Sequence, residues 1–221
     1  SYGFWDSDSW FAKLDSNLNL KWVKAFSGNE DESDATLQEV TPNRVIGCFA
    51  SGSTNAEMHP QDKKGQFADP DLLCTMMDSL GNVIWTKRFG GSSGEGINNC
   101  VIDTVRRHIY FIGYTKSGDQ DISYITSKPS ISVPFNHSNN ILLMKIDTSG
   151  NLLSGKAYGD TLGANFSQMN IRNVGVFKDN ELWFFGTSDG GGGDMEPDTD
   201  GPHDEIFLGV ADTNLNMIAK M

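Results

Sequence analysis

The chain repeats itself, and that constrains it more than anything else in the sequence. The stretch AKLDSNLNLKWVKAF (12–26) returns as TMMDSLGNVIWTKRF (75–89), as MKIDTSGNLLSGKAY (144–158) and as GVADTNLNMIAKM (209–221). The marker aspartates Asp15, Asp78, Asp147 and Asp212 set a period of about 65 residues, and self-similarity at a fixed period is the signature of a repeat architecture. Each copy alternates apolar and polar residues, breaks at Asp-Ser/Thr-x-Gly/Leu-Asn, and alternates again, which is the pattern of a β-hairpin with its turn in the middle. A second echo has the same period: VIGCFASGS (45–53), FIGYTKSGD (111–119) and FFGTSDGGG (184–192). The opening SYGFWDSD (1–8) reads as the tail of one more such strand.

Between these landmarks every unit resolves into four short strands. The first complete unit has TLQEV (36–40), RVIGCFAS (44–51), LLCTMMD (72–78) and VIWTKRF (83–89). The second has NNCVIDT (98–104), HIYFIGYT (108–115), ILLMKID (141–147) and LLSGKAY (152–158). The third has MNIRNVGVF (169–177), LWFFGTS (182–188), EIFLGVAD (205–212) and MIAKM (217–221). No stretch of useful length has helical periodicity, so the expected class is all-β. Units that stack share one architecture, so residues 1–221 are expected to form a single domain or segment, with a partial unit at 1–26 and full units at 27–89, 90–158 and 159–221. A lone four-stranded antiparallel sheet cannot bury both faces; packed radially about an axis, such sheets can, and that arrangement is a β-propeller or an arc of one. A stacked β-solenoid is the alternative, although its repeats are usually much shorter.

The repeat LDSxGNxxWxKxFGG followed by a G-x-T-x-S-G-D strand resembles the β-propeller repeats of secreted surface proteins of Bacteroidetes-type bacteria and some protists. The spacing of Asp15 to Trp22 and of Asp78 to Trp85 also resembles the tryptophan-docking motif of quinoprotein-like propellers. That resemblance implies an Asp and a Trp on the two outer strands of a blade, packed against the next blade. Ser154 and Ala219 stand where the last two copies would carry Trp, so docking there must differ or be lost. The matching motifs are structural and imply a fold; they leave the activity open.

A net charge of −12 with an isoelectric point near 4.6 disfavours nucleic acid and anionic membrane surfaces as partners. No apolar run approaches the ~20 residues that span a bilayer, so membrane insertion is not expected. The chain starts with Ser and begins and stops in mid-repeat, which reads as a processed product or a piece of something longer. Cys48, Cys74 and Cys100 lie in strand-like runs without metal-ligand spacing and read as buried thiols. A Cys48–Cys74 bridge becomes possible if their strands are neighbours.

In a four-stranded meander the second-to-third and fourth-to-next-first connections leave from the same end. The long excursions 52–70, 116–139 and 189–204 therefore gather with loops 27–35, 90–97 and 159–168, and binding of a protein or glycan is expected there. The sharpest local signal is Glu196, Asp198, Asp200 and Asp204 around Gly201: oxygen ligands at alternate positions with a glycine for the tight turn, an arrangement that suits calcium. It resembles the D-x-D-x-D-G-x-x-D loops of integrin-type propellers, and the same composition also suits a solvated acidic loop. The pairs Asp6/Asp8, Asp69/Asp71 and Asp119/Asp121 read as weaker ion sites or strand gatekeepers. Catalytic signals are thin. His59, His108, His137 and His203 are scattered, no nucleophile elbow or phosphate loop occurs, and Glu39 is the least ordinary carboxylate on an inner strand. Asn136 and Asn165 lie in glycosylation sequons. The expected function is a non-catalytic extracellular or cell-surface scaffold and recognition module, calcium-stiffened and joined to further copies or blades of a larger assembly. A carbohydrate-active enzyme with axial carboxylates and an intracellular interaction propeller are the alternatives.

Overall fold

The computed structural model describes residues 7–54, 69–124, 140–158, 169–188 and 205–220. They are all-β and form four antiparallel sheets in chain order. The first has two strands, β1 (Ser9–Leu14) and β2 (Leu20–Phe26). The second is a meander of β3 (Glu32–Thr41), β4 (Arg44–Ser51), β5 (Asp71–Asp78) and β6 (Val83–Phe89). The third has β7 (Glu95–Asp103), β8 (His108–Thr115), β10 (Asn140–Asp147) and β11 (Leu152–Tyr158) in that order. The fourth is β12 (Met169–Lys178), β13 (Glu181–Ser188), β14 (Glu205–Ala211) and β15 (Met217–Lys220). One strand was not expected. Ser123–Tyr124 (β9), inside the excursion read as loop, pairs in parallel with Lys156 and Ala157 and becomes the outer edge of the third sheet. Strand β3 also begins at Glu32, so half of the acidic stretch read as loop is strand.

The repeated hairpin is built identically four times. Asp78 Oδ1 accepts the backbone N–H groups of Leu80 (2.8 Å) and Asn82 (2.9 Å), and Oδ2 accepts the Asn82 side-chain amide at 2.8 Å. Asp15 with Asn17 and Asn19, Asp147 with Ser149 and Asn151, and Asp212 with Asn214 and Asn216 do the same. The fourth residue of each turn is left-handed: Leu18 (φ 65°), Gly81 (86°), Gly150 (78°) and Leu215 (62°). A bulge falls at the same place in each hairpin, between Lys13/Leu14, Met76/Met77, Lys145/Ile146 and Val210/Ala211. A three-residue loop ending in a left-handed residue pairs naturally with such a bulge. The carboxylate explains why the marker residue is Asp: one side chain satisfies the turn's otherwise unpaired donors.

Successive sheets pack face to face. Phe11 and Phe26 of the first meet Phe49, Leu73 and Met77 of the second. Ile46, Leu72, Met76 and Phe89 of the second meet Phe111, Leu142 and Ile146 of the third. Tyr110, Ile112, Ile141 and Leu143 of the third meet Leu182 and Phe184 of the fourth. First strands also touch across sheets, β3 against β7 and β7 against β12. Cys48 and Cys74 stand directly opposite on β4 and β5, with Cys100 near them on β7. All three are buried free thiols, so the bridge that this pairing would allow is not formed.

The second sequence echo needs a correction. Ser51 opposes Asp71, Thr115 opposes Asn140 and Ser188 opposes Glu205, which makes Gly113 and Gly186 equivalent but puts Gly47 two residues out of step. Phe49 fills the place of those glycines. Gly47 has its own reason to be glycine: a Cβ there would lie 2.5 Å from the Phe11 ring, which rests on the strand. Of the partial unit expected over 1–26, the described residues show the two-stranded sheet of β1 and β2; residues 1–6, read with Ser7 and Asp8 as the tail of a further strand, lie outside the described residues.

Candidate functional site

Both classes of longer loop leave from one end of the sheets, the end where Glu32 pairs with Ser51 and Ser51 with Asp71. Their described parts bond to one another. Gly52 N–H donates to Asp31 C=O at 3.1 Å, and one sheet later Lys116 N–H donates to Gly94 C=O at 2.9 Å. Ser92 N–H donates to Asp119 Oδ1 (2.8 Å) and Gly90 N–H to Asp121 Oδ2 (3.2 Å), so this Asp pair holds loop backbone.

Into that end is set a buried carboxyl group at each of the first two junctions between sheets. Glu95, the first residue of β7, is 0% exposed. Its Oε1 accepts the Thr115 hydroxyl at 2.7 Å and its Oε2 the Gly91 N–H at 2.9 Å. Its own N–H donates to Pro70 C=O (2.7 Å), just ahead of β5 in the preceding sheet. There Asp71, also buried, is ion-paired with Arg88 at 3.6 Å. The Arg88 guanidinium donates further to the carbonyls of Ser51 (2.9 Å) and Ser53 (2.8 Å). Gly90 passes between the two carboxyl groups: a Cβ would stand 2.5 Å from Glu95 Oε2 and 2.6 Å from Asp71 Oδ1. Burial pushes the Glu95 carboxyl up from 4.5 to about 7; hydrogen bonds from Ser117, Thr115 and Gly91 oppose the shift and the Asp71 charge adds to it.

The preceding junction repeats the arrangement. Glu32 accepts the Ser51 hydroxyl at 2.9 Å, its N–H donates to Ser7 C=O at 2.8 Å, and burial, with a contribution from Asp8, raises the pKa of its carboxyl as well. At the junction between the third and fourth sheets both acids are gone together: Asn140 holds the register position of Asp71 and Met169 that of Glu95. Glu32 and Glu95 escaped the sequence reading. The signal is present as G-x-x-x-E at 28–32 and 91–95, each matched by S/T-x-S at 51–53 and 115–117.

The outer strands carry a second junction device. Trp22 Nε1 donates to Ser79 C=O in the next sheet's hairpin turn, and Trp85 Nε1 to Thr148 C=O, both at 3.2 Å. The left-handed glycines of those turns lie under the indoles, so that a Cβ on Gly81 would be 2.9 Å from Trp22 and one on Gly150 3.2 Å from Trp85. Where Ser154 replaces Trp, the link is remade: Lys145 Nζ reaches Thr213 C=O at 2.7 Å and the Tyr158 hydroxyl donates to Leu215 C=O.

The calcium ligands expected from the sequence, Glu196, Asp198, Asp200 and Asp204, lie outside the described residues, as do Asp6, His59, His137, His203, Asn136 and Asn165. Glu39 is exposed on β3 and joins no cluster of acids. His108 lies at the start of β8, at the opposite end from the long loops. Among the described residues no group of three His, Cys, Asp or Glu side chains could hold a metal ion, and no helix is long and apolar enough to cross a membrane.

No protein-family model and no curated protein matches the sequence. Among solved structures, the chain is similar to two variants of a Synechocystis apocarotenoid oxygenase, at 10% and 9% identity and a TM-score of 0.42 in each case. The alignments cover 91% of this chain and 42% of the oxygenase chain, so the protein spans about two fifths of the length of those structures.

Proposed function

We propose that the chain is a β-propeller-type scaffold that binds a protein or glycan through its long-loop end, outside the cell or at its surface. The observation that carries this reading is how the buried polar side chains at that end are engaged. Glu32, Glu95, Asp71 and Arg88 all join neighbouring strands, sheets and loops, which leaves the long loops themselves as the contact surface. The cell-surface placement rests on the acidic composition and the resemblance of the repeat. Calcium binding at Glu196, Asp198, Asp200 and Asp204 belongs to the same proposal and rests on the sequence pattern.

One observation favours a second reading, a carbohydrate-active enzyme. Asp71 and Glu95 are neighbouring carboxyl groups in unequal environments, one ion-paired with Arg88 and the other held near neutrality by burial. Divergent acidities of that kind are how glycosidases divide acid and base roles. Both residues are 0% exposed, which weighs against it.

A panel of soluble polysaccharides, with binding and release of reducing ends read on the same samples, separates the two. Binding without release, lost when 55–68 and 125–139 are replaced by Gly-Ser linkers and kept in Glu95→Gln, supports the scaffold. Release of sugar that disappears in Glu95→Gln or Asp71→Asn overturns it in favour of the enzyme. For calcium, a thermal melt with the ion and with excess chelator suffices, because a ligand of the folded state raises stability by mass action. The expected rise is absent from Asp198→Ala with Asp200→Ala; equal melts for the unaltered chain remove calcium from the proposal.

A further inference from the structure

The loop that leads into β7 is held by side chains rather than by a strand ladder. Four successive backbone N–H groups donate to side-chain oxygens: Gly90 to Asp121 Oδ2 (3.2 Å), Gly91 to Glu95 Oε2 (2.9 Å), Ser92 to Asp119 Oδ1 (2.8 Å) and Ser93 to Ser117 Oγ (2.9 Å). Gly94 completes the set by accepting the Lys116 N–H at 2.9 Å. Residues 90–94 and 116–121 are thereby fastened to each other at the long-loop end. A segment pinned by a few such bonds can open while the sheets behind it stay folded. Among the carboxyl acceptors Glu95 is fully buried, whereas Asp119 is exposed and Asp121 half-buried.

Charge around Glu95 is unbalanced. Among the described residues, the titratable groups that surround it are Asp71 on β5, Arg88 on β6, Asp119 and Asp121 after β8, and Tyr114 on β8, whose hydroxyl donates to Asp34 of β3. Arg88 is the cation in that set, and its guanidinium is directed at Asp71 and at the carbonyls of Ser51 and Ser53. Asp71 serves here as an ion-pair partner, and among the described residues no three acids converge to hold a metal ion. Glu95 itself is bonded to neutral donors, Thr115 and Gly91, and lies across Gly90 from the Asp71 carboxylate. A buried carboxylate in that place has neither water nor a counter-ion beside it. The closed junction therefore favours the protonated acid, and the upward shift of its pKa has the same cause.

We propose that Glu95 is a proton-operated latch on the long-loop end: protonated, it holds residues 90–94 closed over the junction between the second and third sheets, and ionised, it lets them open to water. The open segment solvates a charge that the closed one cannot. Linkage sets the course of the change. In the open state Glu95 ionises at its ordinary value of 4.5, so the open fraction rises by up to about tenfold per pH unit from there to about 7 and levels off above it. The latch stands on this junction alone and does not depend on what the end binds.

Amide hydrogen exchange of the full chain tests it, read residue by residue by NMR and compared between the parent and Glu95→Gln at each pH. The comparison cancels the intrinsic pH dependence of exchange, and a thermal melt at pH 4.5 verifies that the variant is folded. Gly91, Ser92, Ser93 and Lys116 are expected to exchange equally in the two proteins at pH 4.5. From pH 5 to 7 they should become progressively faster in the parent, reaching about tenfold or more at pH 8. Leu80, Asn82, Ser149 and Asn151, in hairpin turns at the opposite end, are expected to show no difference at any pH. A parent no faster than the variant at pH 8 overturns the proposal, and so does an equal acceleration in loop and turns, which is global unfolding. A second reading needs no variant: in the parent, the Glu95 carboxyl carbon and the Gly91 and Ser93 amides should titrate in one step near neutrality. A carboxyl that titrates at its ordinary value, or amides that do not follow it, refutes the latch.

Discussion

Replacing Glu95 by Gln should stabilise the protein at alkaline pH, although it removes a buried residue's native charge. Folding moves this carboxyl from 4.5 to about 7, so the folded state holds the proton more tightly than the unfolded state. Stability from this group is therefore complete below pH 4.5, declines as pH rises toward 7 and is gone above it; at about 1.4 kcal/mol per pH unit the loss approaches roughly 3 kcal/mol by pH 8. Gln cannot ionise, yet it can keep the hydrogen bonds. Its carbonyl accepts the Gly91 N–H, and its amide donates to Thr115 Oγ1, whose hydroxyl turns to the Ser117 carbonyl already 3.3 Å away. Urea unfolding at pH 4.5 and at pH 8 should then show near equality at the first and a gain of about 2–3 kcal/mol for Gln at the second. In a two-state melt that gain corresponds to roughly 4–10 °C for a chain of this size. Glu95→Ala serves as the control: it strands the Gly91 and Thr115 donors and should cost about 1–3 kcal/mol at pH 4.5, a deficit that the same relief from ionisation offsets at pH 8, leaving Ala below Gln at both. Comparing variant with parent cancels every other titrating group. If Gln destabilises equally at both pH values, Glu95 works as an anion, and the account of a neutral carboxyl at the junction is wrong.

Three further outcomes follow from the same contacts. Trp85→Phe keeps the ring but loses the bond to Thr148, so it should cost about 1 kcal/mol in urea unfolding, and Trp85→Ala roughly 3 kcal/mol. Asp78→Ala should lower stability at neutral pH. The Asn82 side chain and the backbone of Asn82 and Leu80 hold the Asp78 carboxyl below its usual value, so its contribution is present above pH 3.8 and the gap to the parent closes on acidification through the folded value. Ser154→Trp alone should collide with Leu215 at a cost of about 1–3 kcal/mol, and Leu215→Gly should recover part of it in the double variant. Strictly additive costs would refute the pairing of these two positions at the junction.

The hairpins were legible because their chemistry is local. An Asp, its partner Asn four residues on and a left-handed residue between them lie within one short window, and alternation on either side gives the strands. The tryptophans were legible as spaced landmarks. Glu32 and Glu95 were not, because each finds its partners Ser51 or Thr115 about twenty residues away on the neighbouring strand. Gly47 misled for a related reason. Glycine in a strand signals close approach of something, and in Gly47 that something is Phe11 of another sheet, whereas Gly113 approaches the Gly96 carbonyl of its own sheet. The same letter in two repeats thus answered two different contacts. Strand β9 has no pattern of its own and exists because the edge of β11 offers unpaired backbone groups.

Comparison of the junctions shows that the unit of conservation within this chain is the contact between sheets rather than the sheet. Asp71 with Glu95 becomes Asn140 with Met169, both members changing at once. Ser154 holds the register position of Trp85 and Leu215 the turn position of Gly150, again both changed at once. A sheet moved to another place in the order would meet the wrong partner: a Trp donor would strike a leucine turn, or a buried Glu would lie in a junction without its hydroxyl and glycine contacts. The order of the sheets is therefore written into the junction residues, independently of the short connections that already impose it.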